Sequence, residues 1–304
     1  MNSSLIEAMR QIVSADNLLI NEPMSRHTTF RTGGPACLFL RPENQDQLKK
    51  VMDFVRRLGT DYFVLGNGSN LLVSDEGYDG VIISLSKFNK VELKGTNQIY
   101  VEAGAMNSTI ASFARDNALT GFEFAAGIPG TIGGAMIMNA GAYGGEMAQV
   151  VTEVTVLSPE GEIMVLDNNT MEFGYRTSAI KNKGFIVLSV LLTLKRGKEE
   201  EITSQMKELA EKRRDKQPLE YPSAGSTFKR PEGYFAGKLI EDAGLRGFSV
   251  GDAQVSEKHC GFVVNKGSAT STDIYNLIKE VQKVVYEKAN VRLEPEVIIL
   301  GKFS

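Results

Sequence analysis

The stretch AAGIPGTIGGAMIMNAGAYGG, from Ala125 to Gly145, carries seven glycines and no charged side chain. Glycine admits positive φ and lets a backbone come close to whatever lies against it. A flexible linker would be polar and rich in Gly and Ser. Here the glycines are interleaved with Ile128, Pro129, Ile132, Met136, Ile137, Met138 and Tyr143. Two readings remain: a buried backbone wrapped around a large ligand, or a tight structural turn. The apolar interleaving favours the ligand.

At 304 residues the chain has room for two domains, or for one large domain with an added lobe. A net charge of −3 gives no general pull towards nucleic acid or an anionic membrane, so any anion site must be local. No apolar run approaches the roughly 18 residues of a membrane span. The opening MNSSLIEAMRQIVSADN lacks the basic region, apolar core and cleavage site of a signal peptide. Cys37 and Cys260 stand far apart, outside any metal-like spacing. The expectation is a cytoplasmic protein without metal, nucleic-acid partner or membrane span.

Leu48, Val51, Met52 and Val55 recur at helical spacing within 46–58. Apolar runs at 62–65 and 71–73 flank a glycine turn, and further strands are expected at 81–85, 98–103, 151–157, 162–166 and 185–194. One helix is expected at 107–118. The charged segment 196–218 reads as a helix with Ile202, Met206, Leu209 and Ala210 on its apolar face, ended by Pro218. It leads towards a second lobe with a strand at 261–265 and a helix at 272–289, striped by Ile274, Leu277, Ile278, Val281, Val284 and Val285.

Gly66-Asn67-Gly68-Ser69-Asn70 has two readings. Asn-Gly is a favoured hairpin turn, and a nest of backbone N–H groups binds phosphate oxygens. The dinucleotide fingerprint is missing, since Leu71 stands where the third glycine belongs, and no Walker loop occurs. Arg176 in GYRTS reads alone as a surface arginine. Ser226 in AGSTFKRP reads alone as a turn serine, with no nucleophile elbow around it and no motif joining it to His27 or His259. If the strand over LEPEVIILG alternates, Glu296, Ile298 and Leu300 share a face, which puts the carboxylate at a solvent edge or in a site.

TFRTGGPA (29–36), LGNGSNLLVSD (65–75), GIPGTIGGAMIMNAGAYG (127–144), GYRTSAIK (174–181), AGSTFKRP (224–231), GKLIEDAGLRG (237–247), GFVVN (261–265) and LEPEV (293–297) occur in that order. Together they resemble the UDP-N-acetylenolpyruvoylglucosamine reductases, flavoproteins of peptidoglycan precursor synthesis, over nearly the whole chain. The resemblance implies an α+β protein. An FAD-binding domain of the vanillyl-alcohol-oxidase/p-cresol-methylhydroxylase type spans 1–200, with subdomains near 1–75 and 76–200. A smaller α+β substrate-binding domain follows at 205–304, whose last strand returns to the FAD-binding region. It implies non-covalent FAD, NADPH as hydride donor, UDP-N-acetylenolpyruvoylglucosamine as substrate, and a monomer.

By the same resemblance Gly66, Asn67, Gly68, Ser69, Asn70 and Leu71 hold the cofactor pyrophosphate. Gly127, Ile128, Pro129, Gly130, Thr131, Gly133, Gly134, Asn139, Gly141 and Ala142 lie along the flavin. Ser226 is implied as proton donor, with Arg176 and Glu296 at the substrate carboxylate. Tyr143, Tyr175, Lys229, Arg230, Tyr234 and Lys238 are implied substrate contacts. The interval between GYRTS and AGSTFKRP reads as strand plus the charged helix, with no sign of the tyrosine-bearing loop of some members, so the chain resembles the shorter subtype. Cys260 reads as a buried hydrophobe, and neither histidine is placed for covalent flavin attachment. An FAD oxidase of the same fold and a flavin-binding sensor without catalysis are the competing functions.

Overall fold

The computed structural model describes residues 3–303. The chain divides into two compact units. The first takes the N-terminal segment to Leu19, Phe39–Asn67 and Val81–Arg213; the second takes Ile20–Leu38, Gly68–Gly80 and the chain from Arg214 onward.

The first unit is built on a five-stranded antiparallel sheet, in the order Ile163–Asp167, Val151–Leu157, Ile186–Thr193, Gln98–Glu102, Val91–Lys94. Its central strand, Ile186–Thr193, is buried almost throughout, as an apolar run covered on both faces requires. The Gln45–Arg57 helix starts at Asn44, whose side chain accepts the Gln47 N–H at 2.9 Å, and buries the four predicted residues Leu48, Val51, Met52 and Val55. Tyr62–Leu65 runs parallel to 81–84, while Leu71–Val73 pairs in parallel with Ile298–Leu300. The two runs flanking the glycine turn therefore do not form a hairpin.

In the second unit an antiparallel sheet runs Ser223–Ser226, Phe262–Asn265, Ala253–Val255, Ser249–Val250. The Ser271–Ala289 helix packs on it. A capping box of Thr270 and Asp273 opens this helix, and Ile274, Leu277, Ile278, Val281 and Val285 are buried in one core with Phe30, Leu72, Val255 and Val263.

Three expectations are corrected. The Glu199–Lys216 helix forms, but of its apolar face only Ile202 is buried, while Met206 and Leu209 are half-buried and Ala210 is exposed. The last strand shows no alternation: Ile298 and Ile299 are equally exposed, and Glu296 precedes the strand. Inside the glycine stretch, Ile132–Ile137 is a short helix capped by Thr131, whose Oγ1 accepts the Gly134 N–H at 3.4 Å. The strands Leu18–Pro23 and Pro35–Leu40 and the helix Ala236–Asp242 lie outside the predicted elements.

Candidate active site

In the second unit the polar residues of three separate motifs converge. Pairing between Ser223–Ser226 and Phe262–Asn265 slips between Ser223↔Val264 and Ser226↔Phe262, with Gly225 at φ +76° inside the slip. A bulge of this kind re-aims the residue that follows, and Ser226 emerges exposed at the strand end. Its neighbour Thr227 is fully buried and anchors the chain. Thr227 donates its N–H to the Gly261 carbonyl at 2.8 Å, and its Oγ1 accepts the Val263 N–H at 2.9 Å. The Thr227 carbonyl accepts the Glu296 N–H at 2.8 Å, and the Glu294 carbonyl accepts the Lys229 N–H at 2.9 Å. The serine and glutamate motifs thus lie side by side on adjacent stretches of backbone.

The Gly66–Asn70 turn joins them through Asn70. Asn70 donates from Nδ2 to the Glu296 carbonyl at 3.0 Å, and its own carbonyl accepts the Ile298 N–H at 3.0 Å. The Gly68 carbonyl accepts the Thr29 N–H at 3.2 Å. These bonds anchor the Gly68 and Asn70 carbonyls of the turn. Gly68, at φ +61°, sits so close under the His27 carbonyl that no side chain fits there. Leu71 is core, 2% exposed. Lys229 is paired with Glu294 at 2.8 Å, and that lysine holds the Glu294 carboxyl below its usual range. Lys238 pairs with Asp242 at 2.6 Å, Arg230 covers the Phe235 ring at 4.0 Å, and Tyr234 is exposed.

In the first unit the glycine stretch is a crowded, uncharged surface. A Cβ on Gly66 would stand 2.6 Å from Thr131 Oγ1, and one on Gly133 would stand 2.9 Å from the Ala103 carbonyl. Gly130 accepts the Asn107 N–H at 3.0 Å, and the stretch leaves Gly127, Pro129 and Gly134 exposed and Ile128 and Asn67 half-buried. Gly141 and Ala142 pair with Glu146 and Gly145 in a small hairpin whose tip carries Tyr143 at φ +54°. Arg176 sits at φ +55° in the Gly174–Thr177 turn, its guanidinium 5.3 Å from the Tyr175 ring centroid. Ser69 lies half-buried in the second unit.

Two residues here carry no sequence signal. Arg213 occupies the space a Gly127 side chain would take, with Cδ at 3.1 Å and a guanidinium nitrogen at 3.2 Å from that position. Burial there lowers its pKa, while nearby Tyr143 acts the other way. Within the run EKRRDK it is indistinguishable from its solvated neighbours. Phe235, under Arg230, is 62% exposed in a segment that reads as an ordinary loop.

The family described as UDP-N-acetylenolpyruvoylglucosamine reductase, C-terminal domain, matches residues 217–300, and the FAD binding domain family matches 36–167. A UDP-N-acetylenolpyruvoylglucosamine reductase from Caldanaerobacter subterraneus is 52% identical over 98% of both chains. The chain belongs to the UDP-N-acetylenolpyruvoylglucosamine reductase family. Another member of the family, from Clostridioides difficile, is 49% identical over 99% of both chains. The crystal structure of the Thermus caldophilus reductase superposes with a TM-score of 0.80 at 37% identity, covering 93% of this chain and 98% of that one. A 4-ethylphenol oxidase from Gulosibacter chungangensis (14% identical, TM-score 0.50) shares the fold over 64% of this chain and 42% of its own.

The residues present fit FAD. The FAD binding domain match covers both glycine segments, Gly66–Asn70 and Gly127–Gly134, which carry no charged side chain, and a Cβ at Gly66, Gly68 or Gly133 would meet a neighbouring oxygen within 3 Å. Among the described residues no cluster of His, Cys, Asp or Glu could hold a metal, and no helix is long and apolar enough to cross a membrane. Cys260 is 4% exposed and its thiol is pushed up by burial, the behaviour of a small hydrophobe.

Proposed function

We propose that this chain reduces UDP-N-acetylenolpyruvoylglucosamine to UDP-N-acetylmuramate in peptidoglycan precursor synthesis, using FAD and NADPH. The observation that carries the reading is the bond from Glu296 N–H to the Thr227 carbonyl, which sets Glu296 beside the exposed Ser226, with Asn70 of the phosphate-type turn on Glu296.

FAD, when bound, supplies a hydride to the terminal carbon of the enolpyruvyl ether. The adjacent carbon then carries negative charge that delocalises into the carboxylate as an enolate. The protein must stabilise that charge and deliver a proton. Ser226 gives its hydroxyl proton to the carbon; a serine is a weak acid, so it serves only a strongly basic carbon. Arg176 and Glu296 hold the carboxylate end, the arginine as a charged donor and the glutamate as a protonated one.

Residues 1–200 form the flavin-binding region and 205–304 the substrate-binding domain, with the last strand returning to the flavin turn. The matches at 36–167 and 217–300 and the pairing of Ile298–Leu300 with Leu71–Val73 support this division. Gly66 to Leu71 serve the pyrophosphate and the 127–142 set the flavin, except Asn139, whose buried amide is engaged by Gly174 and Ala148, while Tyr143, Tyr175, Lys229, Arg230, Tyr234 and Lys238 serve the UDP-sugar. Lys229 and Lys238 must exchange a carboxylate partner for phosphate. The enzyme works as a cytoplasmic monomer of the shorter subtype.

The test is a single turnover. NADPH bleaches the visible flavin bands of anaerobic protein, and UDP-N-acetylenolpyruvoylglucosamine restores them. Ser226→Ala keeps the bleaching and loses the substrate-driven return. Bleaching reversed by oxygen alone would replace the reductase by an oxidase.

A further inference from the structure

Three non-glycine residues of the first unit's two site motifs have left-handed backbones: Asn139 at φ +41°, Tyr143 at φ +54° and Arg176 at φ +55°. Such conformations persist only where the surroundings enforce them. For Arg176 the requirement is visible. Gly174 and Thr177 bond in both directions, Gly174 N–H to the Thr177 carbonyl at 3.1 Å and Thr177 N–H to the Gly174 carbonyl at 3.4 Å. Arg176 therefore occupies the third position of a tight turn at positive φ, where glycine is the usual residue.

Asn139 is 2% exposed, and its side chain works inside the protein. Its Nδ2 donates to the Gly174 carbonyl at 3.2 Å, and its Oδ1 accepts the Ala148 N–H at 2.9 Å. One amide thus ties the turn that presents Arg176 to the chain beyond the hairpin that presents Tyr143. A second strut runs alongside, from Ser178 Oγ to the Ile137 carbonyl at 3.2 Å, with Ser178 1% exposed. Asparagine suits the position twice over. It tolerates the left-handed conformation better than other side chains, and its amide supplies one donor and one acceptor at once.

We propose that Asn139 is a positioning residue that fixes the Arg176 turn, rather than a contact to the cofactor. This rests on the reading of Arg176 as the group that holds the substrate carboxylate. Removing the amide lets the turn relax by a fraction of its own width, and misplacement of a catalytic group by about 1 Å costs on the order of 100-fold in rate.

The test uses Asn139→Gly in the flavin-loaded enzyme, because glycine admits the positive φ without strain and removes the amide with the rest of the side chain. Asn139→Asp, which keeps the acceptor for Ala148 and loses the donor to Gly174, is the second variant. Both half-reactions are followed by flavin absorbance. The flavin content and its bleaching by NADPH stay within twofold of the parent, while its return on adding UDP-N-acetylenolpyruvoylglucosamine slows roughly 10- to 100-fold. Combined with Arg176→Ala, Asn139→Gly adds no further loss, because both act on one group. The proposal is overturned by a substrate step within twofold of the parent, by losses that multiply in the double variant, or by loss of folded protein or flavin in both Asn139 variants. If Arg176→Ala itself turns over normally, the role of Arg176 falls and Asn139's with it. If the parent protein binds no flavin, the reductase reading fails first.

Discussion

Gly59 and Gly68 have nearly the same backbone, φ +60° and +61°, and differ in what surrounds them. A Cβ on Gly59 meets nothing within 4 Å, whereas one on Gly68 lands against the His27 carbonyl, with its carbon at 2.9 Å and Thr28 Cα at 3.1 Å. Alanine in a left-handed conformation costs about 1–2 kcal/mol, offset by about 0.4–1 kcal/mol because the unfolded chain also loses freedom. Gly59→Ala should therefore cost about 1 kcal/mol or less. Gly68→Ala bears the same strain plus about 1–3 kcal/mol for forcing backbone apart, and about 1 kcal/mol if the Thr29 N–H loses the Gly68 carbonyl. The expected total is about 3–5 kcal/mol. Urea unfolding of the two flavin-free variants measures the difference, and gel filtration followed by a visible spectrum measures the flavin each retains. Gly59→Ala keeps its flavin, while Gly68→Ala loses most of it. Equal destabilisation by the two would refute the packing argument, and full flavin in a folded Gly68→Ala would refute the pyrophosphate assignment.

Two further outcomes follow from the second unit. Burial holds the His259 ring below its ordinary pKa of 6.5, and its Nδ1 accepts the Gly261 N–H at 3.1 Å as a neutral ring. The unfolded chain takes up the proton first, so stability is complete above pH 6.5 and declines as pH falls towards the depressed folded value. His259→Gln flattens this slope in urea melts taken from pH 7.5 to 5, and an unchanged slope would place its origin elsewhere. Leu277 is fully buried on the Ser271–Ala289 helix, so Leu277→Ala should cost about 2–5 kcal/mol in the same melts, while a cost under about 1 kcal/mol would mean that the site collapses freely.

What the sequence discloses here depends on how local the cause is. The helices Gln45–Arg57 and Ser271–Ala289 declare themselves because their buried residues recur every third or fourth position. Leu71–Val73 is legible as a strand but its partner is not: Asn70 and Glu296, 226 residues apart, meet through bonds that no local pattern encodes. The Ile132–Ile137 helix is invisible to propensity, with Gly133 and Gly134 in its first turn. It exists because Thr131 caps it and because Ile132 and Gly133 donate to the carbonyls of Ala105 and Ala103. Ser226 and Glu296 were legible only through motif resemblance, since their meeting depends on a bulge at Gly225. Arg213 was not legible at all, because a charged run looks the same whether one of its members is half-buried or all are solvated.

The parallel pairing of Leu71–Val73 with Ile298–Leu300 has a consequence for biosynthesis. Polypeptide leaves the ribosome from the N-terminus, so Asn70 of the GNGSN turn emerges 226 residues ahead of Glu296, and ahead of the partner strand that follows it. Until then Asn70 lacks its bonds to Glu296 and Ile298, and closing so long a loop is slow. A nascent chain arrested before residue 298 would carry every glycine of the 125–145 stretch and still lack the strand that pairs with Leu71–Val73.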